Sequence, residues 1–101
     1  RGWVMSYDFG IGDESFNCTY NVSKMFYDWE PEKGIRSIYG VSGRDSIELL
    51  RSLREHLENN RSRMLLMEPD NGWGSLNNTH AMVNKMIMMS FDNLDDIWEG
   101  D

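Results

Sequence analysis

Asp70-Asn71-Gly72-Trp73-Gly74-Ser75 lies between two long helical patterns and sets a large aromatic side chain between two glycines. Gly72 and Gly74 have no Cβ, so both can take positive φ and let backbones approach closely. Asp70 and Asn71 are turn formers whose side chains bond nearby amides. Pro69 stops the helical turns before it, and Ser75 is a good N-cap for the helix after it. The stretch reads as a helix–helix connector with a tryptophan plug. Trp73 is expected to join the N-terminal ribbon to both long helices. Loops held by rigid elements also carry function, so the same loop is a candidate wall of a binding site.

On its C-terminal side, residues 76–98 form the longest periodic segment. Leu76, Val83, Ile87, Phe91 and Leu94 make one stripe, with Met82, Met86 and Met89 beside it. So wide an apolar arc suits a helix covered on more than one side. Methionines are adaptable, which makes Met82, Met86 and Met89 either a soft core or a face for a second copy or a partner. Residues 92–101 are acidic and carry Ile97 and Trp98. They are read as a fraying tail or a docking segment.

On its N-terminal side, Ser42-Gly43-Arg44-Asp45 has capping-box spacing, with Asp45 in place of Glu. The spacing predicts a helix over 42–57 with Ile47, Leu50, Leu53 and Leu57 inward and Leu49 widening the stripe. Arg51 with Glu55 and Arg54 with Glu58 stand at i,i+4 on its wet side. Asn59-Asn60 supplies its C-terminal turn, and residues 61–68 make one or two helical turns.

Residues 5–20 alternate with period two. Tyr7, Phe9 and Ile11 share one face in the first run and Phe16, Cys18 and Tyr20 in the second, with Gly12-Asp13 between them. That is a β-hairpin with one buried face, which needs helices against it. Cys18 reads as a buried structural thiol. Asn21 is placed to cap a short helix to Trp29, with Val22, Met25, Phe26 and Trp29 inward. Residues 30–41 are irregular, pinned by Ile35, Ile38 and Tyr39 and bent at Gly40. The expected fold class is therefore α+β, an N-terminal β-hairpin packed on a small helical array with two long helices. Residues 5–101 are expected to form one domain, and Arg1-Gly2-Trp3-Val4 reads as a cloning remnant.

Composition narrows the functions. Of 101 residues, 40% are hydrophobic and 27% charged, as in ordinary globular domains. No apolar run is long enough to span a bilayer and no signal peptide is visible. One cysteine excludes an internal disulfide and fits a reducing cytosol. The four Asn-x-Ser/Thr matches are ascribed to chance in an Asn- and Ser-rich chain. The net charge is −7. That balance argues against binding nucleic-acid backbones, which requires basic patches, and permits mimicry of a polyanion toward a basic partner. There is no Walker-type loop, CxxC, HExxH or nucleophile elbow. His56 and His80 fall on different helices without a third ligand. Neither catalytic residue nor metal or cofactor is expected.

Thr19-Tyr20-Asn21-Val22-Ser23-Lys24-Met25-Phe26, then Gly34-Ile35-Arg36, then Glu68-Pro69-Asp70-Asn71-Gly72-Trp73-Gly74 resemble a group of small phage and prophage proteins. That group carries an N-terminal T-x-N segment and a central NGWG motif. The similarity spans most of residues 16–90. It departs at Leu76-Asn77-Asn78, where the group usually has Tyr-Glu-Gly. The resemblance implies a phage origin and little chemistry.

Two functions stand as expectations. In the first, the chain binds a host protein, such as a defence component, and inhibits it by contact in the host cytoplasm, in the manner of an anti-CRISPR, with the chain itself a homodimer. In the second it sequesters a nucleotide signal: Tyr20, Tyr39 and Trp73 stack a base, and Arg36 and Arg44 hold phosphate near a helix N-terminus. Asn21 and Asn71 are placed to satisfy loop backbone groups, with Asn21 bonding across to the Trp73 loop.

Overall fold

The computed structural model describes residues 6–70 and 74–101. It shows the expected α+β architecture. β1 (Ser6–Ile11) and β2 (Glu14–Thr19) form the hairpin, α1 (Ser23–Trp29) follows a 3-10 turn at Tyr20–Val22, and a second 3-10 turn spans Gly34–Ile38. The long helices are α2 (Gly43–Asn59) and α4 (Leu76–Asp92), with the short α3 (Arg61–Leu65) between them and β3 (Glu99–Gly100) at the end.

The hairpin register pairs Tyr7 with Cys18 and Phe9 with Phe16, closing on Gly12-Asp13 between Ile11 and Glu14. Gly12 has φ +58° and Asp13 does not have positive φ, the signs of a type II′ turn with glycine first. Tyr7, Phe9 and Ile11 are buried, whereas Phe16, Cys18 and Tyr20 are half-buried.

α2 begins where the capping pattern placed it: Ser42 Oγ accepts from Asp45 N at 3.1 Å. Its buried stripe is Ser46, Leu50, Leu53 and Leu57, and Ile47 is half-buried. Arg54 and Glu58 do not pair along the helix. Arg54 donates to Asn84 Oδ1 at 2.9 Å and Glu58 meets His80 Nε2 at 2.6 Å, because α4 packs alongside and offers partners across the seam. Asn60 closes α2 by donating to His56 O at 2.8 Å.

Several expectations are corrected. Thr19, not Asn21, caps the first turn, its Oγ1 accepting from Asn21 N at 3.1 Å; α1 then starts at Ser23 with no side-chain cap. α4 ends at Asp92, not near Trp98. Leu94 falls beyond α4, Phe91 is 49% exposed, and the buried face is instead Leu76, Thr79, Val83, Met86, Ile87, Met89 and Ser90. Met86 and Met89 lie in the fold's own core, so they offer no face to a partner; Met82 is half-buried and Met88 is exposed.

The largest correction concerns the acidic C-terminus, which neither frays nor projects. Trp98 is fully buried, and β3 adds to the sheet in the order β2-β1-β3. The indole Nε1 donates to both Ser46 Oγ and Ser90 Oγ at 3.0 Å. Trp98 N donates to Val41 O at 2.9 Å, and Gly40 N to Trp98 O at 2.8 Å. Gly43 makes room for this returning chain, since a Cβ there would stand 2.2 Å from Asn93 O. Trp98 thus ties α2 to α4, and β3 after it pairs with β1, much of the role expected of Trp73, which lies outside the described residues.

Candidate functional site

The corner between β2 and α1 faces the loop after α3 across an open cleft of about 510 Å³. One wall carries Tyr20, Asn21, Ser23 and Lys24, and the other carries residues 66–70. Both walls are held from behind. Tyr7 Oη and Ser23 Oγ are 2.8 Å apart, and Thr19 fixes the Asn21 amide. Glu68 Oε2 accepts from Leu76 N at 2.8 Å, anchoring the loop to the start of α4. Gly74, with φ +111°, presses on the hairpin end: a Cβ there would meet Val22 at 2.8 Å and Thr19 at 3.2 Å. The described part of the loop therefore packs on the ribbon as expected. Asn71, Trp73 and the expected bond from Asn21 to their loop lie outside the described residues.

Leu66 stands at the lip of this cleft and is 87% exposed, with Leu65 beside it at 43%. Residues 61–68 gave only a short apolar run, and nothing local distinguished its inward Met64 from its outward leucines. That distinction comes from how α3 docks.

Tyr20, Arg36 and Tyr39 come together, as the second function expected. The Arg36 guanidinium lies 4.7 Å from the Tyr7 ring centre and 5.5 Å from that of Tyr20. Its Nη2 donates to Tyr20 Oη at 2.9 Å and its Nε to Asp101 O at 3.1 Å. Tyr39 Oη also donates to Asp101 O at 3.2 Å, and burial pushes the Tyr39 phenol up to about 12. This cation is a structural clamp on the chain's end, with two donors already committed. Arg44 does not join it; its Nη2 pairs with Asp95 Oδ1 at 3.0 Å on the surface.

A second polar cluster left no trace in the local sequence. Asp28 Oδ2 lies 2.7 Å from His56 Nε2 and 2.8 Å from Arg63 Nη2, joining α1, α2 and α3. The hydrogen bonds from Arg63 and then His56 hold the Asp28 carboxyl below its usual range. A carboxylate orienting an imidazole completes a nucleophilic triad only beside a nucleophile. The nearest hydroxyl along α2, Ser52 Oγ, instead accepts from Trp29 Nε1 at 3.2 Å. Among the described residues no three His, Cys, Asp or Glu side chains are grouped to hold a metal ion. None of the described helices is long and apolar enough to cross a membrane.

Comparison of the chain with protein-family models, with curated proteins and with solved structures gives no match.

Proposed function

We propose that this chain acts by binding rather than by catalysis, as a phage-type accessory protein that inhibits a host protein, such as a defence component, through direct contact. The observation that carries this reading is Leu66, 87% exposed at the mouth of the cleft. Leaving one such side chain in water forgoes about 1.5–3 kcal/mol of burial. An exposed apolar side chain beside a concavity is the form of a contact centre, where an anchor from one molecule enters a pocket of the other. The net charge of −7 would speed encounter with a basic partner. Phage origin rests on the resemblance of the T-x-N and NGWG segments.

The nucleotide reading has weaker support. Arg36 already gives two donors to Tyr20 and Asp101, and Arg44 pairs with Asp95 at the surface, so the two expected phosphate ligands are engaged in separate contacts.

The test is capture from host lysate with the wild-type chain and with Leu66→Asp, after matching their circular dichroism. The expected result is one host protein recovered at near-equal stoichiometry by the wild type and lost with the variant. Failure to recover any stoichiometric host protein overturns the reading. A rise in melting temperature with a cyclic or linear nucleotide would transfer support to sequestration.

A further inference from the structure

We infer that β2 is a self-pairing edge: two copies of this chain join antiparallel through Ser15, Asn17 and Thr19, forming one continuous six-stranded sheet. A two-residue turn makes Ile11 and Glu14 a hydrogen-bonded pair, and alternation along the ladder makes Phe9–Phe16 and Tyr7–Cys18 the next ones. Ser15, Asn17 and Thr19 must then turn their N–H and C=O groups away from β1. Among the described residues no strand covers that side, since β2 is the outer member of the β2-β1-β3 order. Natural sheets blunt such edges with proline, lysine, bulges or very short strands. β2 has none of these: its six residues, ESFNCT, pair in unbroken register.

The occupant is set by what lies beside the edge. A cleft of about 250 Å³ opens there between β2 and α4, lined by Cys18, Val22, Thr79 and Met82 among others. A two-fold axis at Asn17 places Asn17 opposite its own copy and Ser15 opposite Thr19, which joins all the outward amides. The same register puts Phe16 opposite Cys18 in the closely spaced, non-hydrogen-bonded positions. Phe16 and Cys18 share the core-side face of the sheet with Phe9 and Tyr7. Each Phe16 ring, held in its own copy by Phe9 and the Lys85 ammonium, therefore borders the other copy's Cys18–Met82 cleft at the seam. Glu14 would face Tyr20, and no carboxylate faces another across the seam. The strand is thus complementary to itself in hydrogen bonds and charge. Met86 and Met89, buried in the core, cannot serve this purpose, whereas half-buried Met82 lines the cleft beside the edge.

The test combines solution mass with cross-linking of the full chain. Sedimentation equilibrium from roughly 1 to 500 μM, the range for weak edge pairing, should show a monomer–dimer equilibrium. Asn17→Pro removes the central outward N–H at an edge position that tolerates proline. It should keep the parent's circular dichroism and weaken association at least about tenfold. Paired Cα atoms about 5.5 Å apart suit a disulfide. In a Cys18→Ser background, Asn17→Cys should therefore oxidise to a covalent dimer much faster than Ser15→Cys, whose like partner lies four residues further along the ladder. A monomer across the whole range, or equal cross-linking at positions 15 and 17, would overturn the proposal.

Discussion

Replacing Trp98 by Phe removes the one N–H that serves two buried hydroxyls. Ser46 Oγ donates to Gly43 O and Ser90 Oγ to Met86 O, each at 2.9 Å. The two oxygens stand 3.0 Å apart, where either hydroxyl can donate to the other in place of its carbonyl. The indole N–H supplies the further donor that both oxygens share. Without it, two buried acceptors face each other, or one hydroxyl abandons its carbonyl. Leaving such groups unsatisfied costs about 1–3 kcal/mol. The smaller ring adds about 1 kcal/mol of cavity. The sum, about 2–4 kcal/mol, is a large share of the stability of a domain this size. Taking a urea m-value of about 1.5 kcal/mol per M, the midpoint should fall by roughly 1.3–2.7 M. Adding Ser46→Ala and Ser90→Ala to the Phe variant should cost far less than adding them to the parent, because the cluster acts as a unit. A Phe variant that melts within about 0.3 M urea of the parent would refute the role given to Trp98.

Gly43→Ala places a Cβ 2.2 Å from Asn93 O and 2.7 Å from Ser90 O. Backbone cannot yield as a side-chain tip does, so a loss above about 2 kcal/mol is expected in urea melts. Gly40→Ala meets nothing within 4 Å and strains only its φ of +84°, costing about 1 kcal/mol in the same assay. Asp28→Ala should lower the melting temperature at pH 7. Because the folded carboxyl titrates below its unfolded value, that contribution is present above about pH 4 and is lost as the pH falls through the folded pKa. The melting temperatures of parent and variant should therefore converge in acid. Burial pushes the Cys18 thiol up to about 11, so alkylation at pH 8 should run at least about tenfold slower in the native chain than in urea; equal rates would contradict the burial.

Local spacing encodes the parts of the fold that could be read from the chain. The period-two run through Tyr7, Phe9 and Ile11, the Ser42 cap and the Leu50–Leu53–Leu57 stripe all specify their elements within a few residues. Trp98 could not be read this way. Its partners Ser46 and Ser90 are set by tertiary return of the chain, and two residues of strand leave no periodic signal. The methionines of α4 could be read as a soft core or as a face for a partner, because composition cannot tell which side a neighbour covers; packing against α2 puts Met86 and Met89 in the core. Of the candidate site, the Tyr20–Arg36–Tyr39 grouping was legible from residue type, but Arg36's engagement with Asp101 was not. Asp28, His56 and Arg63 come from three helices, and only their docking makes them a cluster.

The proposed working surface is the cleft whose lip is Leu66, and a contact footprint tests that proposal most directly. Amide hydrogen exchange of the chain, alone and with a host protein recovered in the capture experiment, should show new protection concentrated at residues 20–24 and 64–70. Protection confined to the outer side of α4 around Met88 and Phe91, with the cleft exchanging as before, would contradict it.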